Sequence, residues 1–260
     1  MPKIEKTKEK KNKIKKKKKH IFLKIILWTF LIFFLLVVGL FAGVIASINS
    51  GAGALSKADF EINKFTTYIY DINGNEYTTV NSGENRTYVS ISEVSPYLPK
   101  AFISIEDERF ETHKGIDVKR TTAATIKFIM NKLFKVGEAD FGGSTITQQV
   151  IKKVTGEDDR SALRKAREIV RAIQLEQWLS KDEIIELYMN LIYLGEGSYG
   201  VEAASYTYFD KSASDLSIAE CALIGGLAQA PEGYNPFKYP EKAKQRQLLV
   251  LNKMYELRLY

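Results

Sequence analysis

The sequence predicts a mainly α-helical domain behind one membrane-spanning helix, with a small β-hairpin where the domain begins. Three observations predict this class. Residues 25–48 form an uncharged apolar run, and beyond residue 95 apolar residues recur at helical spacing between capping signals. Alternating β-formers occur only in a short stretch around Asn73-Gly74.

Composition narrows the function classes. The 260 residues allow one large domain or two small ones, each able to bury a core. The formal charge of +7 belongs to a tail: residues 1–20 hold eleven Lys against Glu5 and Glu9, a net +9, which leaves −2 for the remaining 240. A nucleic-acid-binding domain carries its positive charge on the folded face, so nucleic acid is not an expected partner. Cys221 is the only cysteine, and His20 and His113 are the only histidines. That excludes an internal disulfide and argues against a zinc centre. Cys221 sits in an apolar run and reads as a small buried hydrophobe.

In chain order, residues 1–20 are a basic cytoplasmic tail suited to anionic lipid, and 21–48 a transmembrane anchor. The 24 uncharged residues from Ile25 to Ile48 rise roughly 36 Å as a helix, enough to cross about 30 Å of hydrocarbon. Ala52-Gly53-Ala54 resembles a cleavage site, but a signal peptide has an apolar region of only about 7–15 residues. An uncleaved anchor is therefore expected. The lysines before it put the N-terminus inside and the rest of the chain outside the cytoplasmic membrane.

Residues 49–64 read as a linker and 65–260 as the domain, its first segment (65–95) built on a hairpin. Phe65–Ile72 and Asn75–Val80 flank the Asn73-Gly74 turn, and Arg86–Ile91 is a candidate third strand. Pro96 and Pro99 open a helix whose Leu98, Phe102, Ile103 and Ile105 lead to Glu106. Asp117 is a candidate N-cap for a helix to about Phe134. Within it Phe128, Ile129, Met130, Leu133 and Phe134 alternate with lysines, which suits a core-facing helix or one dipping into the outer leaflet.

Gly142-Gly143 breaks that pattern. Thr145 and Gln148 then have capping-box spacing, and the same helix start offers free N–H groups to an anion. Residues 160–179 form an amphipathic helix expected to turn Leu163, Ile169 or Val170, Ile173 and Leu175 inward, with Arg164–Glu168 a solvated pair. Ser180 with Glu183 begins a helix to about Asn190. Gly195, Gly197 and Gly200 mark a turn, and helices follow near 201–209 and 218–228, the second capped by Ser217 and Glu220. Pro231, Pro236 and Pro240 mark a loop before a last helix carrying Arg246, Val250 and Leu251.

The chemistry concentrates in Glu106-Asp107-Glu108-Arg109-Phe110-Glu111-Thr112-His113-Lys114-Gly115-Ile116-Asp117. Glu106, at a helix end, is a candidate general base. Lys152, Arg160, Arg164 and Lys165 suit the charge developing on a departing phosphate or pyrophosphate. The anchor and the 128–134 cluster suit a lipid tail. Together these parts suggest glycosyl transfer from a lipid pyrophosphate sugar.

The same stretch resembles the first signature of the peptidoglycan glycosyltransferases, glycosyltransferase family 51. Gly143-Ser144-Thr145-Ile146-Thr147-Gln148-Gln149 resembles the second signature, and Arg164-Lys165-Ala166-Arg167-Glu168 the third. Residues 181–190 resemble the fourth and 246–251 the fifth, all in order. The hairpin region is similar to the segment that precedes this domain in bifunctional class A penicillin-binding proteins. The resemblance implies a lysozyme-like fold with a membrane-embedded jaw between the first two signatures. It also implies polymerisation of lipid II into glycan strands with release of undecaprenyl pyrophosphate.

By that pattern Glu106 would deprotonate the acceptor 4-hydroxyl for inverting attack on the donor's anomeric carbon. Glu168 would be the second essential acid, serving the pyrophosphate side with or without a divalent cation, and no tightly bound cofactor is implied. Asp107, Phe110 and His113 would shape the site. Ser144, Thr145, Gln148, Gln149, Lys152, Lys153, Arg160, Arg164, Lys165, Tyr188, Asn190 and Arg246 would hold phosphates and sugars. Lys153 departs from the family's usual Asn at its position. Expected partners are lipid II, the growing strand, membrane lipids, and cell-wall synthesis or division proteins.

Two other readings compete. A lysozyme or lytic transglycosylase needs a catalytic Glu but no cations for pyrophosphate, and a silent scaffold needs neither Glu106 nor Glu168. The S-x-x-K, S-D-N and K-T-G motifs of a transpeptidase do not occur. The expectation is a monofunctional glycosyltransferase or the N-terminal part of a longer protein.

Overall fold

A computed structural model of the chain describes residues 21–39, 42–43, 45–46, 55–60, 67–70, 72, 76–80, 85–134, 142–159 and 161–260. The chain divides into two compact units, 1–54 and 55–260. In the first, helix α1 (Ile21–Gly39) has a mean hydropathy of 2.8 and is exposed along its length, long and apolar enough to cross a membrane. The residues of Asn73-Gly74 lie outside the described set, as does Arg160.

The second unit is mostly helical. It opens with a 3-10 turn, Lys57–Phe60, whose Phe60 joins the core and meets Trp178 edge to face at 6.4 Å. Part of the expected linker therefore belongs to the folded unit, because an aromatic at position 60 finds an apolar partner. Strands β1 (Thr67–Tyr70) and β2 (Glu76–Val80) pair antiparallel, with Thr67 opposite Val80 and an irregularity between Ile69 and Tyr70. The expected third strand does not extend this hairpin. Of that segment only Arg86 belongs to a strand, β3 (Asn85–Arg86), and residues 91–93 turn into a 3-10 helix capped reciprocally by Ser90 and Glu93. The local cap there outcompetes β-propensity.

Helix α2 (Tyr97–Glu106) buries Leu98, Ala101 and Phe102 and ends at Asp107. Next come α3 (Val118–Phe134), α4 (Ile146–Thr155), α5 (Ala162–Trp178) and α6 (Lys181–Leu191). Strand β4 (Ser198–Tyr199) pairs in parallel with β3, and α7 (Val201–Phe209), α8 (Ile218–Leu227) and α9 (Pro240–Glu256) complete the chain. Helix α2 packs on α8 and α9, while α4 packs on α5 and α6. The two groups share one core, in which Phe102 meets Tyr188 edge to face at 5.5 Å. The α2–α8 approach is close: a Cβ on Gly225 would lie 3.0 Å from that of Ala101.

Capping boxes at Thr145–Gln148, Ser180–Glu183 and Ser217–Glu220 start α4, α6 and α8 where the sequence signals them. The inward face of α5 differs from expectation. Leu163 and Ile173 are exposed, whereas Ala166, Glu168, Arg171, Ala172 and Leu175 are buried. Small residues let α5 pack closely there, and its buried charges find partners.

Segment 88–91 is held by two α6 side chains one turn apart. Glu186 accepts from Tyr88, Ser90 and the Ile91 amide (2.7 Å), and Asn190 pairs with both backbone groups of Val89. Gly115 marks another close approach. Its φ is +85°, and an added Cβ would lie 2.6 Å from the Ala172 carbonyl. Gly115→Ala should therefore cost about 2–3 kcal/mol from strain and overlap, measured by urea unfolding. A loss below about 0.5 kcal/mol would show that the stretch does not dock on α5 this tightly.

Candidate active site

The site grows from the junction of α2 and α4. Asp107, fully buried just past the end of α2, accepts from the Ile146 amide at the start of α4 (2.9 Å) and from His113 Nε2 (2.8 Å). His113 Nδ1 accepts from the Gly115 amide at 3.2 Å, so this network assigns the ring proton to Nε2. Thr145, the N-cap of α4, also donates to the Gly115 carbonyl at 2.8 Å. The first signature-like stretch is thereby stitched to the second.

That stitching sets the position of Glu106. One α4 turn onward, Gln149 donates from Nε2 to Glu106 Oε2 at 2.9 Å, while its Oε1 accepts from the Tyr188 hydroxyl at 3.3 Å. The two bonds fix the amide's orientation. Burial, followed by the charges of Glu106 and Asp107, pushes the Tyr188 hydroxyl well above the usual phenol range, so it stays a donor. The other carboxylate oxygen, Oε1, faces Arg246 Nη2 at 4.0 Å. Arg246 is itself held by the Gly226 carbonyl (3.3 Å) and stacks over Tyr234. Glu106 lines a cleft of about 380 Å³ together with Arg120, Lys127, Gln229, Arg246 and Lys253.

A second cluster centres on Glu168. Arg164 and Lys165 each bond one of its oxygens, and Lys165 also donates to Ser144 Oγ at 2.8 Å. Arg164–Glu168 is thus a buried contact and not the solvated pair expected from its spacing, because Glu168 lies on the inward face of α5. With both oxygens taken by side-chain cations, this carboxylate does not fit a resident divalent ion. Among the described residues no three His, Cys, Asp or Glu gather into such a site.

The structure separates the remaining expected residues. Lys152 is exposed and pairs with Asp158 at 2.8 Å. Phe110 is fully buried beneath the Lys181 ammonium, 4.5 Å from the ring centroid. Gln148 and Asn190 are enclosed and bonded to backbone groups. The Asn190 amide holds Val89 and the Glu186 carbonyl.

Sequence reasoning missed Arg120, whose guanidinium bonds the carbonyls of both Glu106 and Gly142 and so joins α3 to the end of α2. It also missed the bidentate bond from Arg109 to Asp117, 2.8 Å at each oxygen. Asp117 was legible as an N-cap, and it does bond the Arg120 amide at 3.0 Å. Nothing in the sequence shows that it has a second partner eight residues back.

A half-buried acid and amide backed by a buried phenol thus open on a cleft with an arginine beside it, and a separate carboxylate is wrapped by cations. The transglycosylase family matches residues 73–255. Penicillin-binding protein 1A of Clostridium botulinum is 40% identical over 93% of this chain and 29% of its own. Penicillin-binding protein 1F of Bacillus subtilis is 38% identical over 92% and 32%. Penicillin-binding protein 1A of Clostridium acetobutylicum is 47% identical over 72% and 24%. A crystal structure of penicillin-binding protein 1A from Haemophilus influenzae aligns with 77% of this chain and 19% of its own at 24% identity, with a TM-score of 0.41, too low to support an argument.

The chain belongs to the transglycosylase family and carries a glycosyltransferase domain. It spans about a quarter to a third of the length of these relatives.

The Asp117 carboxyl supplies a pH test. Burial works to raise it, but the Arg120 amide and the Arg109 guanidinium prevail and hold it below the usual carboxylate range. Its stabilisation is therefore present at neutral pH and lost as pH falls from about 4 through the lowered value. Asp117→Asn should lower stability by about 1–2 kcal/mol at pH 7, with the difference from wild type closing in acid. Unfolding curves at both pH values check this, and a gap that does not narrow in acid would contradict it.

Proposed function

We propose that this domain polymerises lipid II into peptidoglycan glycan strands by inverting glycosyl transfer, releasing undecaprenyl pyrophosphate at the outer face of the cytoplasmic membrane. The observation that carries the reading is Glu106, with one oxygen tied to Gln149 and the other facing a cleft beside Arg246. The acceptor 4-hydroxyl gives its proton to Glu106 as its oxygen bonds to the donor's anomeric carbon. The bond from that carbon to the pyrophosphate oxygen breaks, and the pyrophosphate leaves with the electron pair. A carboxylate held by Gln149 loses little orientational freedom at that moment, which favours the proton transfer.

Arg164 and Lys165 supply positive charge for the leaving group, and Glu168 serves here as the anion that orients them. No step calls for a metal ion. Ser144, just before α4, contributes a polar group on the same side through its bond from Lys165, while Thr145 caps α4 and holds the Gly115 carbonyl. Helix α1 as a single-pass anchor, with the basic tail inside, keeps the domain at the surface where a lipid-linked substrate resides. The exposed Val118, Ile126 and Met130 of α3 support its contact with lipid, although the side chains of Phe128, Ile129, Leu133 and Phe134 lie outside the described residues. Lipid II, the growing strand and membrane lipids are the proposed partners, along with other proteins of wall synthesis or division.

Purified protein given lipid II in detergent should form long glycan strands. Glu106→Gln should reduce the rate at least about 100-fold while leaving the fold intact. Release of soluble fragments from finished wall, without polymer, would favour the lysozyme-type reading instead.

A further inference from the structure

The Glu106 carbonyl is among the last four of α2, which have no amide partner within their own helix. It is taken by the guanidinium of Arg120, from the first turn of α3. The same guanidinium bonds the Gly142 carbonyl from Nε at 2.5 Å, just ahead of α4, and the Thr121 hydroxyl donates to the Gly143 carbonyl at 3.5 Å. These contacts close a ring. From Glu106 it runs through Arg120 and Gly142 into α4, and Gln149 of that helix returns to the Glu106 carboxylate. We propose that Arg120 is a positioning residue, clamping the backbone of Glu106 while Gln149 clamps its side chain, so that the seating of α3 sets where the base stands. The proposal rests on the glycosyl-transfer reading above and adds to it a residue that acts through Glu106.

The backbone of Arg120 is itself fixed. Its amide donates to Asp117 Oδ1 at 3.0 Å and the Thr121 amide to the Asp117 carbonyl at 2.8 Å, which starts α3 there. Arg109 in turn holds both oxygens of Asp117. From this held helix start the side chain reaches a carbonyl 14 residues back and another 22 residues on. A planar guanidinium serves two carbonyls at once in a set geometry, whereas an ammonium on a flexible stem fixes neither direction. Its charge also meets the negative end of the α2 dipole. Arg120 is half-buried between two cavities, the Glu106 cleft and one of about 240 Å³ that Ser104, Glu108 and Asp117 also line. Truncating the side chain would therefore leave room that a free guanidinium ion can enter.

The test measures lipid II polymerisation by the full chain for wild type, Arg120→Ala and Arg120→Lys, at a temperature where circular dichroism shows each folded. Arg120→Ala should lower kcat about 30-fold and leave KM within about twofold, since the group displaced is the base. Arg120→Lys, which keeps the charge but not the fork, should still lose about tenfold. Guanidinium chloride at millimolar concentration should restore Arg120→Ala by at least about fivefold, and ethylammonium chloride should not. In a Glu106→Gln background the added Arg120→Ala should cost less than about threefold, because the group it positions is already gone. An equal loss in both backgrounds, or no rescue by guanidinium, would overturn the proposal. Should Arg120→Ala not fold, Arg120→Lys carries the same comparison between backgrounds. If wild type made no polymer, the functional reading itself would fail, and 13C NMR of a labelled Glu106 carbonyl would decide the clamp. That signal should shift in Arg120→Ala and return with guanidinium, and an unmoved signal would overturn the assignment.

Discussion

The buried carboxylate of Asp107 is the contact on which the site depends, because it joins two chain segments that neither helix could align alone. The side chain sits beyond the last turn of α2 and accepts the first free amide of α4 and the His113 ring proton. A carboxylate at a helix N-terminus meets unpaired N–H groups and the positive end of the dipole, which offsets the cost of burying its charge. Once α4 is anchored there, Gln149 one turn along falls within hydrogen-bonding distance of Glu106. Losing this anchor would release Glu106 and Gln149 from each other even with both helices formed.

Around that anchor the supports are redundant in kind but not in position. Arg120 holds the carbonyls of Glu106 and Gly142, Thr145 holds the Gly115 carbonyl, and Lys181 spans Glu176, the His113 carbonyl and the Phe110 ring. Each ties backbone or ring atoms of the 106–117 stretch to a different helix. The stretch has little regular structure of its own, so these ties take the place of a hydrogen-bond ladder. Gly115 belongs to the same set, since only a residue without Cβ lets the chain lie against the Ala172 carbonyl.

The electrostatics divide into two settings. At Glu106 a single carboxylate keeps one oxygen toward the cleft, with Arg246 near but not in close contact. At Glu168 both oxygens are engaged by side-chain cations, which neutralises the acid and leaves Arg164 and Lys165 oriented by it. Two glutamates of equal standing in the sequence thus sit in different settings, one with an oxygen facing the cleft and the other with both oxygens held by cations.

Sequence alone determined the helical class, the apolar N-terminal helix, the capping boxes at Thr145, Ser180 and Ser217, and the concentration of chemistry around Glu106. Those features are local: periodicity, cap spacing and turn chemistry act within one or two helical turns. Only the tertiary structure decided that β3 pairs with β4, that α5 turns Glu168 and Arg171 inward in place of Leu163 and Ile173, and that Asn190 holds Val89. Arg120 and Arg109 belong to the same group. The physical reason is distance along the chain: Asn190 reaches a partner 101 residues away and Gln149 one 43 residues away, while burial depends on which face the neighbouring helices cover. No local pattern encodes either quantity.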